Sequence, residues 1–188
     1  MGHVSLGILL QQVLFKVDEV PIFVAGGIAS GKYIAHLLLM GASGIQMGTY
    51  FVLTEECRAH PKFKQSFIRA KARNAISTPQ IGSELRIVAV RALKNKGTDE
   101  FSDLQIDLLR KRRNNEISHA EAQFEVEKFW MGALRKAVKD GDVDFGSVMA
   151  GQSVGLMDKV RPLKEALDFL IKDADLELGR IHKKCQDI

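Results

Sequence analysis

Two cysteines in 188 residues, Cys57 and Cys185, are too few and too far apart to staple a fold, and they form no Cys-x-x-Cys pair. That excludes a disulfide scaffold. No secretory signal segment is seen, so the cytosol is the expected compartment and reduced thiols the expected state. The chain also lacks any apolar run near the roughly 18 residues that a membrane span requires. Its most apolar stretch, Pro21–Ile28, is short and interrupted by Gly26-Gly27. Charge of one sign is lacking too: 27 Lys and Arg face 23 Asp and Glu, a net +4, which implies neither a nucleic-acid nor a membrane partner. What remains is 46% hydrophobic and 27% charged, the make-up of a globular protein.

The first fifty residues have a regular rhythm. Leu6, Leu9, Leu10, Val13, Leu14 and Val17 recur at helical spacing, so Leu6–Val17 reads as an amphipathic helix. Pro21–Ala25 is continuously apolar, as a strand buried on both faces of a parallel sheet would be. A second helix, roughly Lys32–Met40, ends at Gly41, and a short strand, Gly44–Gly48, follows. Helix, strand, helix, strand is the pattern of a parallel α/β fold. Beyond Thr49 the pattern gives way to a helical turn at Phe51–Cys57 and a helix from Pro61 to about Arg73. Then come a strand at Leu85–Val90, charged helices near Asp99–Arg113 and Ser118–Val138, and a glycine-rich stretch, Gly141–Gly155. A last helix spans Pro162–Ile171, and the polar tail Lys172–Ile188 is expected to fray or to form a solvated helix. Two strand–helix units cannot close a (β/α)₈ barrel, which takes about 250 residues. The expectation is therefore that the earlier strands are missing or come from another chain.

Two loops could carry chemistry. Val24-Ala-Gly-Gly-Ile-Ala-Ser-Gly31 runs from strand through glycines into a helix, a place where backbone amides and the helix start favour an anion such as phosphate. A dinucleotide loop fits less well: the spacing is not Gly-x-Gly-x-x-Gly, and the next strand ends Gln46-Met47-Gly48 without an acid. A tight turn with no ligand is the plain alternative. Gly44-Ile-Gln-Met-Gly-Thr49 offers a glycine and a hydroxyl at the next strand's end. Adjacent loops of this kind, after the last two strands, frequently form the phosphate site of a barrel. His3, before the first helix, could move a proton near neutral pH, although a lone N-terminal histidine is usually incidental. The other histidines have no metal-ligand spacing, and Asp142 and Asp144 lack the later ligands of a calcium loop. The basic runs at Arg58–Arg73 and Arg110–Arg113 read as solvated helix faces, with an acidic partner as the alternative.

Taken together, Val24-Ala-Gly-Gly-Ile28, Gly41-Ala-Ser-Gly-Ile-Gln-Met-Gly-Thr49, Glu55-Glu-Cys57 and Ala150-Gly-Gln-Ser-Val-Gly-Leu156 resemble the C-terminal half of nitronate monooxygenases. They are also similar to flavin-type enoyl-acyl-carrier-protein reductases. The resemblance reaches to about Ile171. It implies the last two strands of an FMN-binding (β/α)₈ barrel, over residues 1–75, with a mostly helical lid over 76–145 and a return segment over 146–188. By position, Gly26, Gly27, Gln46, Met47, Gly48 and Thr49 would hold the FMN phosphate. Gly2 and His3 are similar to the end of a Gly-Gly-His motif, with Met1 in place of the first glycine; Gly2 would touch the cofactor and His3 would be catalytic. Ser147, Gly151 and Gln152 would lie near the flavin.

The activity so implied is oxidation of an alkyl nitronate with O₂. The alternatives are an NAD(P)H-dependent enoyl-acyl-carrier-protein reductase, and an inactive remnant or subunit that completes its barrel with an N-terminal half or a second copy. No metal is implied.

Overall fold

The computed structural model describes residues 4–17 and 19–186. In chain order these form α1 (Leu6–Leu14), β1 (Phe23–Ala25), α2 (Gly31–Leu39), β2 (Gly44–Gln46), a 3₁₀ turn (Tyr50–Leu53) and α3 (Pro61–Arg69). Then follow β3 (Ala75–Ser77), β4 (Arg91–Leu93), α4 (Lys96–Arg113), α5 (His119–Arg135) and α6 (Leu163–Gln186). The protein is mixed α/β, with most ordered residues in helices. Among the described residues no helix is long and apolar enough to cross a membrane. The chain divides into two compact units: Ala59–Gly155, and the segments on either side of it.

In the unit built from the flanking segments, β1 and β2 pair in parallel, with Phe23 opposite Gly44, Val24 opposite Ile45 and Ala25 opposite Gln46. Leu10 from α1, Val24, Ile28, Leu37 and Ala42 form the core beside this pair. Burying aliphatic side chains of this kind stabilises by about 1.5–3 kcal/mol each. The expectation that β1 is buried on both faces is corrected: Val24 is 3% exposed, but Phe23 is 69% exposed and Ala25 lies open. Helices cover one face of the two-stranded sheet, and side chains alternate across a strand, so only Val24 points into the core. The tail expectation resolves as helix, since α6 continues to Gln186. Its inward residues, Ala166, Leu170 and Glu177, are buried, and α6 is tied to its unit at three points. The Leu163 amide donates to both carboxylate oxygens of Glu56 at 2.9 and 3.1 Å. The Lys32 amide donates to Asp173 at 2.9 Å. His36 Nε2 lies 3.0 Å from Glu177.

The Ala59–Gly155 unit is built on α4 and α5, which enclose Leu85, Phe101, Leu108, Leu109, Ala122 and Val126. Both helices begin with a reciprocal cap, Asn95 with Thr98 and Ser118 with Glu121, so the orphan amides of each first turn are satisfied locally. The strand expected at Leu85–Val90 is corrected. Leu85 closes a 3₁₀ turn, and the ladder starts only at β4, antiparallel to β3. Burial alternates along the segment as the sequence suggests, with Leu85 and Ala89 buried and Val88 75% exposed. Two of its carbonyls, however, accept from side chains: Gln123 donates to Leu85 O at 2.5 Å, and Gln80 donates to Ile87 O. α3 stops at Arg69 rather than Arg73, because Ala70 turns extended.

Candidate anion-binding loops and return segment

The register places Ala25 beside Gln46, so β1 and β2 end together and the loops after them leave from neighbouring positions about 4.8 Å apart. Gly26 and Gly27 turn the first loop with φ of +106° and +72°, a region where a side chain would strain the backbone. A Cβ at Gly26, Gly27 or Gly48 would meet no atom within 4 Å, so the space in front of all three is open. All three are exposed. No turn, loop or side-chain hydrogen bond ties their amides to another described residue. Backbone amides around open space can donate to an anion's oxygens. Gln46 is exposed, Met47 and Thr49 are half-buried, and Met47 packs into both apolar clusters of the unit. The structure thus brings the loop candidates Gly26, Gly27, Gln46, Met47, Gly48 and Thr49 to one end of the two-stranded sheet.

One element of the sequence argument is corrected. The start of α2 is not free for an anion. Ser30 Oγ accepts from the Tyr33 amide at 3.2 Å, and the Asp173 carboxylate accepts from the Lys32 amide at 2.9 Å. The positive end of this helix already carries a negative group of the chain itself. Gly26 and Gly27, with open space in front of them, precede this helix start.

Gly2 and His3 lie outside the described residues. Ser147, Gly151 and Gln152 belong to the Ala59–Gly155 unit. Here Leu93 N donates to Val148 O at 2.9 Å and Ala150 N donates to Arg91 O at 3.1 Å, which lays residues 148–150 along β4 as a further extended segment. Val148 and Ala150 point inward at 1% and 4% exposure, while Met149 is 39% exposed. Ser147 is buried, and its hydroxyl has no partner among the described residues, as is also true of Ser153. A buried hydroxyl without a partner is costly, so these two atoms stand out in the return segment.

The sequence reading missed Asp173, because its contact with Lys32 spans 141 positions and no local pattern announces it. It also missed Tyr50, which is buried beside Ala29 and Ala166 with its hydroxyl unpartnered among the described residues. Burial raises the Tyr50 pKa above its ordinary value, and the nearby Arg161 opposes that shift. No group of three potential metal ligands occurs among the described residues.

A family model described as nitronate monooxygenase matches residues 1–173. A Staphylococcus aureus protein named as a probable nitronate monooxygenase is 25% identical over 146 residues, covering 77% of this chain and 36% of its own length. Among solved structures, FabK from Thermotoga maritima superposes with a TM-score of 0.78 at 28% identity, covering 98% of this chain and 53% of that one. A nitroalkane oxidase from Streptomyces ansochromogenes superposes at 0.69 with 24% identity, over 95% of this chain and 46% of the other, a likeness of fold. The chain spans about half the length of the curated relatives it matches.

Proposed function

The chain belongs to the nitronate monooxygenase family, and from that premise we propose that it carries the FMN-phosphate end of a flavin-dependent oxidoreductase acting on alkyl nitronates with O₂. The observation that supports this reading is the pair of neighbouring loops with open space in front of Gly26, Gly27 and Gly48. A phosphate with its several acceptor oxygens suits such a cradle, and Thr49 adds a hydroxyl at its rim. Bound there, FMN would supply the redox chemistry. This chain's residues would anchor the phosphate and fix the ring's direction from that end. His3 is the proposed proton-handling group, holding or releasing a proton at its imidazole nitrogen. Gly2 is proposed to stand beside it, and Ser147, Gly151 and Gln152 are proposed as further flavin contacts.

The sheet in this unit has two strands, and the face carrying Phe23 is open. We place β1 and β2 as the last two strands of a (β/α)₈ barrel, whose other strands come from a further polypeptide segment or chain. The test is titration of FMN with the purified chain, followed by flavin fluorescence, alone and with a polypeptide bearing the preceding strands. Wild type should quench the flavin in at least one arrangement. Gly27→Asp adds a negative charge and a side chain at φ +72° and should weaken binding at least tenfold; undiminished affinity in that variant would sink the reading.

The likeness to FabK at 28% identity favours a second reading, an NAD(P)H-dependent enoyl-acyl-carrier-protein reductase. Rapid reduction of the bound flavin by NADH selects it. Nitronate turnover without NADH selects the first.

A further inference from the structure

Tyr50 carries a hydroxyl for which the folded chain has no use. The residue directly follows Thr49 and opens the 3₁₀ turn Tyr50–Leu53. Its side chain is buried, at 9% exposure, yet the phenol oxygen has no hydrogen-bond partner among the described residues. Phenylalanine would fill the same space without stranding a donor, so the buried hydroxyl is a cost that the fold carries in the absence of a ligand.

The position of the ring gives that cost a purpose. Tyr50 shares one apolar cluster with Ala29, Ala166 and Leu170, and Met47 packs against the same cluster. Ala29 stands two residues beyond Gly27, and Met47 immediately precedes Gly48. Each of the two loops thus contributes a residue to the packing around Tyr50. The ring is also held in place. Phe51 meets it edge-on, with centroids 5.4 Å apart and planes at 89°. The backbone after it is tied to the segment before α6: Arg161 N donates to Leu53 O at 3.2 Å, and Glu55 N donates to Arg161 O at 3.0 Å. A donor fixed before binding loses little ordering entropy when a ligand enters.

The charged groups near the phenol do not satisfy it. Arg161 has only donors to offer, and its guanidinium is committed to Asp158 at 3.0 Å. The carboxylates of Asp158 and Glu165 are felt electrostatically but accept nothing from the hydroxyl. Burial, foremost, raises the phenol's pKa against the opposing pull of Arg161, so at neutral pH the group is a donor. What it lacks is an acceptor. We infer that Tyr50 is a further binding residue of the loop site, its hydroxyl donating to an oxygen of the phosphate that Gly26, Gly27 and Gly48 receive. The inference rests on the reading of those loops as a phosphate site, and it adds a side-chain contact to their backbone.

The chain has two tyrosines, Tyr33 and Tyr50, so labelling tyrosine with ¹³C at Cζ gives two resonances, and Tyr50→Phe identifies which belongs to Tyr50. Inorganic phosphate, FMN and riboflavin would each be titrated against the whole chain. Phosphate and FMN should move the Tyr50 resonance, and riboflavin, which has no phosphate, should leave it in place. Tyr50→Phe should weaken phosphate binding about three- to tenfold, the loss of one hydrogen bond. Its Tm should hold or rise, because a stranded donor has been removed. Phosphate binding with a stationary Tyr50 resonance, or undiminished phosphate affinity in Tyr50→Phe, overturns the inference and leaves the loop site standing. A lower Tm in Tyr50→Phe overturns it as well, since the hydroxyl would then have a structural partner. Movement of the resonance by riboflavin assigns the contact to the rest of the flavin and overturns the phosphate assignment. Binding of neither phosphate nor FMN overturns the reading of the loops, and this contact with it.

Discussion

Gly31 sits where α2 and α6 meet, and replacing it with alanine tests whether that contact is as close as the structure has it. A Cβ at Gly31 would stand 2.2 Å from Leu170 O, 2.5 Å from Ala174 N and 2.7 Å from Asp173 Cβ. Ordinary contact begins at 3.4 Å, so the carbonyl would have to retreat by 3.4 − 2.2, or 1.2 Å. Two of these three atoms are helix backbone, so no flexible side chain can swing aside. Retreat of α6 would also stretch the Lys32–Asp173 and His36–Glu177 hydrogen bonds. Alanine's better helix propensity returns at most about 1 kcal/mol, whereas overpacking costs about 1–3 kcal/mol or more. The expected net loss is about 1–2 kcal/mol, a fall in Tm of roughly 2–8 °C. Gly179→Ala is the matched control, since it lies in the same helix α6 with nothing within 4 Å of its Cβ. That variant should gain about 0.5–1 kcal/mol. Thermal and urea unfolding followed by far-UV circular dichroism would compare the two. A Gly31→Ala protein as stable as wild type, alongside a stabilised Gly179→Ala, would refute the close approach of the helices.

The Glu177 carboxylate is held at a pKa of about 2, against an ordinary 4.5, by hydrogen bonds first from Arg180 and then from His36, which together outweigh its desolvation. A depressed folded pKa contributes stability that is complete above 4.5 and is lost as pH falls toward 2. Glu177→Gln should therefore flatten the fall of the urea midpoint between pH 4.5 and 2, and an unchanged pH profile would count against the pairing. Ser118 accepts from the Glu121 amide at 3.2 Å and donates its own amide to the Glu121 carboxylate at 2.7 Å. Ser118→Ala should destabilise by about 1 kcal/mol, read from the same unfolding curves. Loss of FMN binding in Gly27→Asp, read from flavin fluorescence, completes the set.

Local signals in the sequence were reliable wherever a residue acts on its neighbours. Ser30 before α2, Pro61 in the first turn of α3, Gly41 after α2 and the Val24–Ala25 run into Gly26-Gly27 each appear in the structure in the role that the pattern assigns. The parallel pairing of β1 with β2 also follows from the rhythm of the first fifty residues. What failed were inferences that need a distant partner. Leu85–Val90 alternates like a strand, but whether it joins a ladder depends on Gln80 and Gln123, which cap its carbonyls from other elements. Pro21–Ala25 is apolar throughout, yet its burial depends on what covers each face, and a run of apolar letters cannot say which face is covered. β3, three residues long, carries too little pattern to be seen.

The start of α2 shows why a motif and a site are different objects. Glycines running into a helix suggest that the helix dipole binds the anion. In the folded chain Asp173, 141 positions away from Lys32, reaches that helix start first, and Ser30 takes the next amide. A second anion at the same point would meet the Asp173 carboxylate, and like charges at such range repel. In the function proposed above the acceptor oxygens of a phosphate would meet Gly26, Gly27 and Gly48 instead, whose positive φ or open flank keeps side chains out of the way. Asp173 secures α6 to α2 and occupies an amide of the helix start that a ligand would otherwise meet. In the function proposed above the phosphate contacts are therefore the loop glycines, with the helix behind them held in place by the chain's own carboxylate.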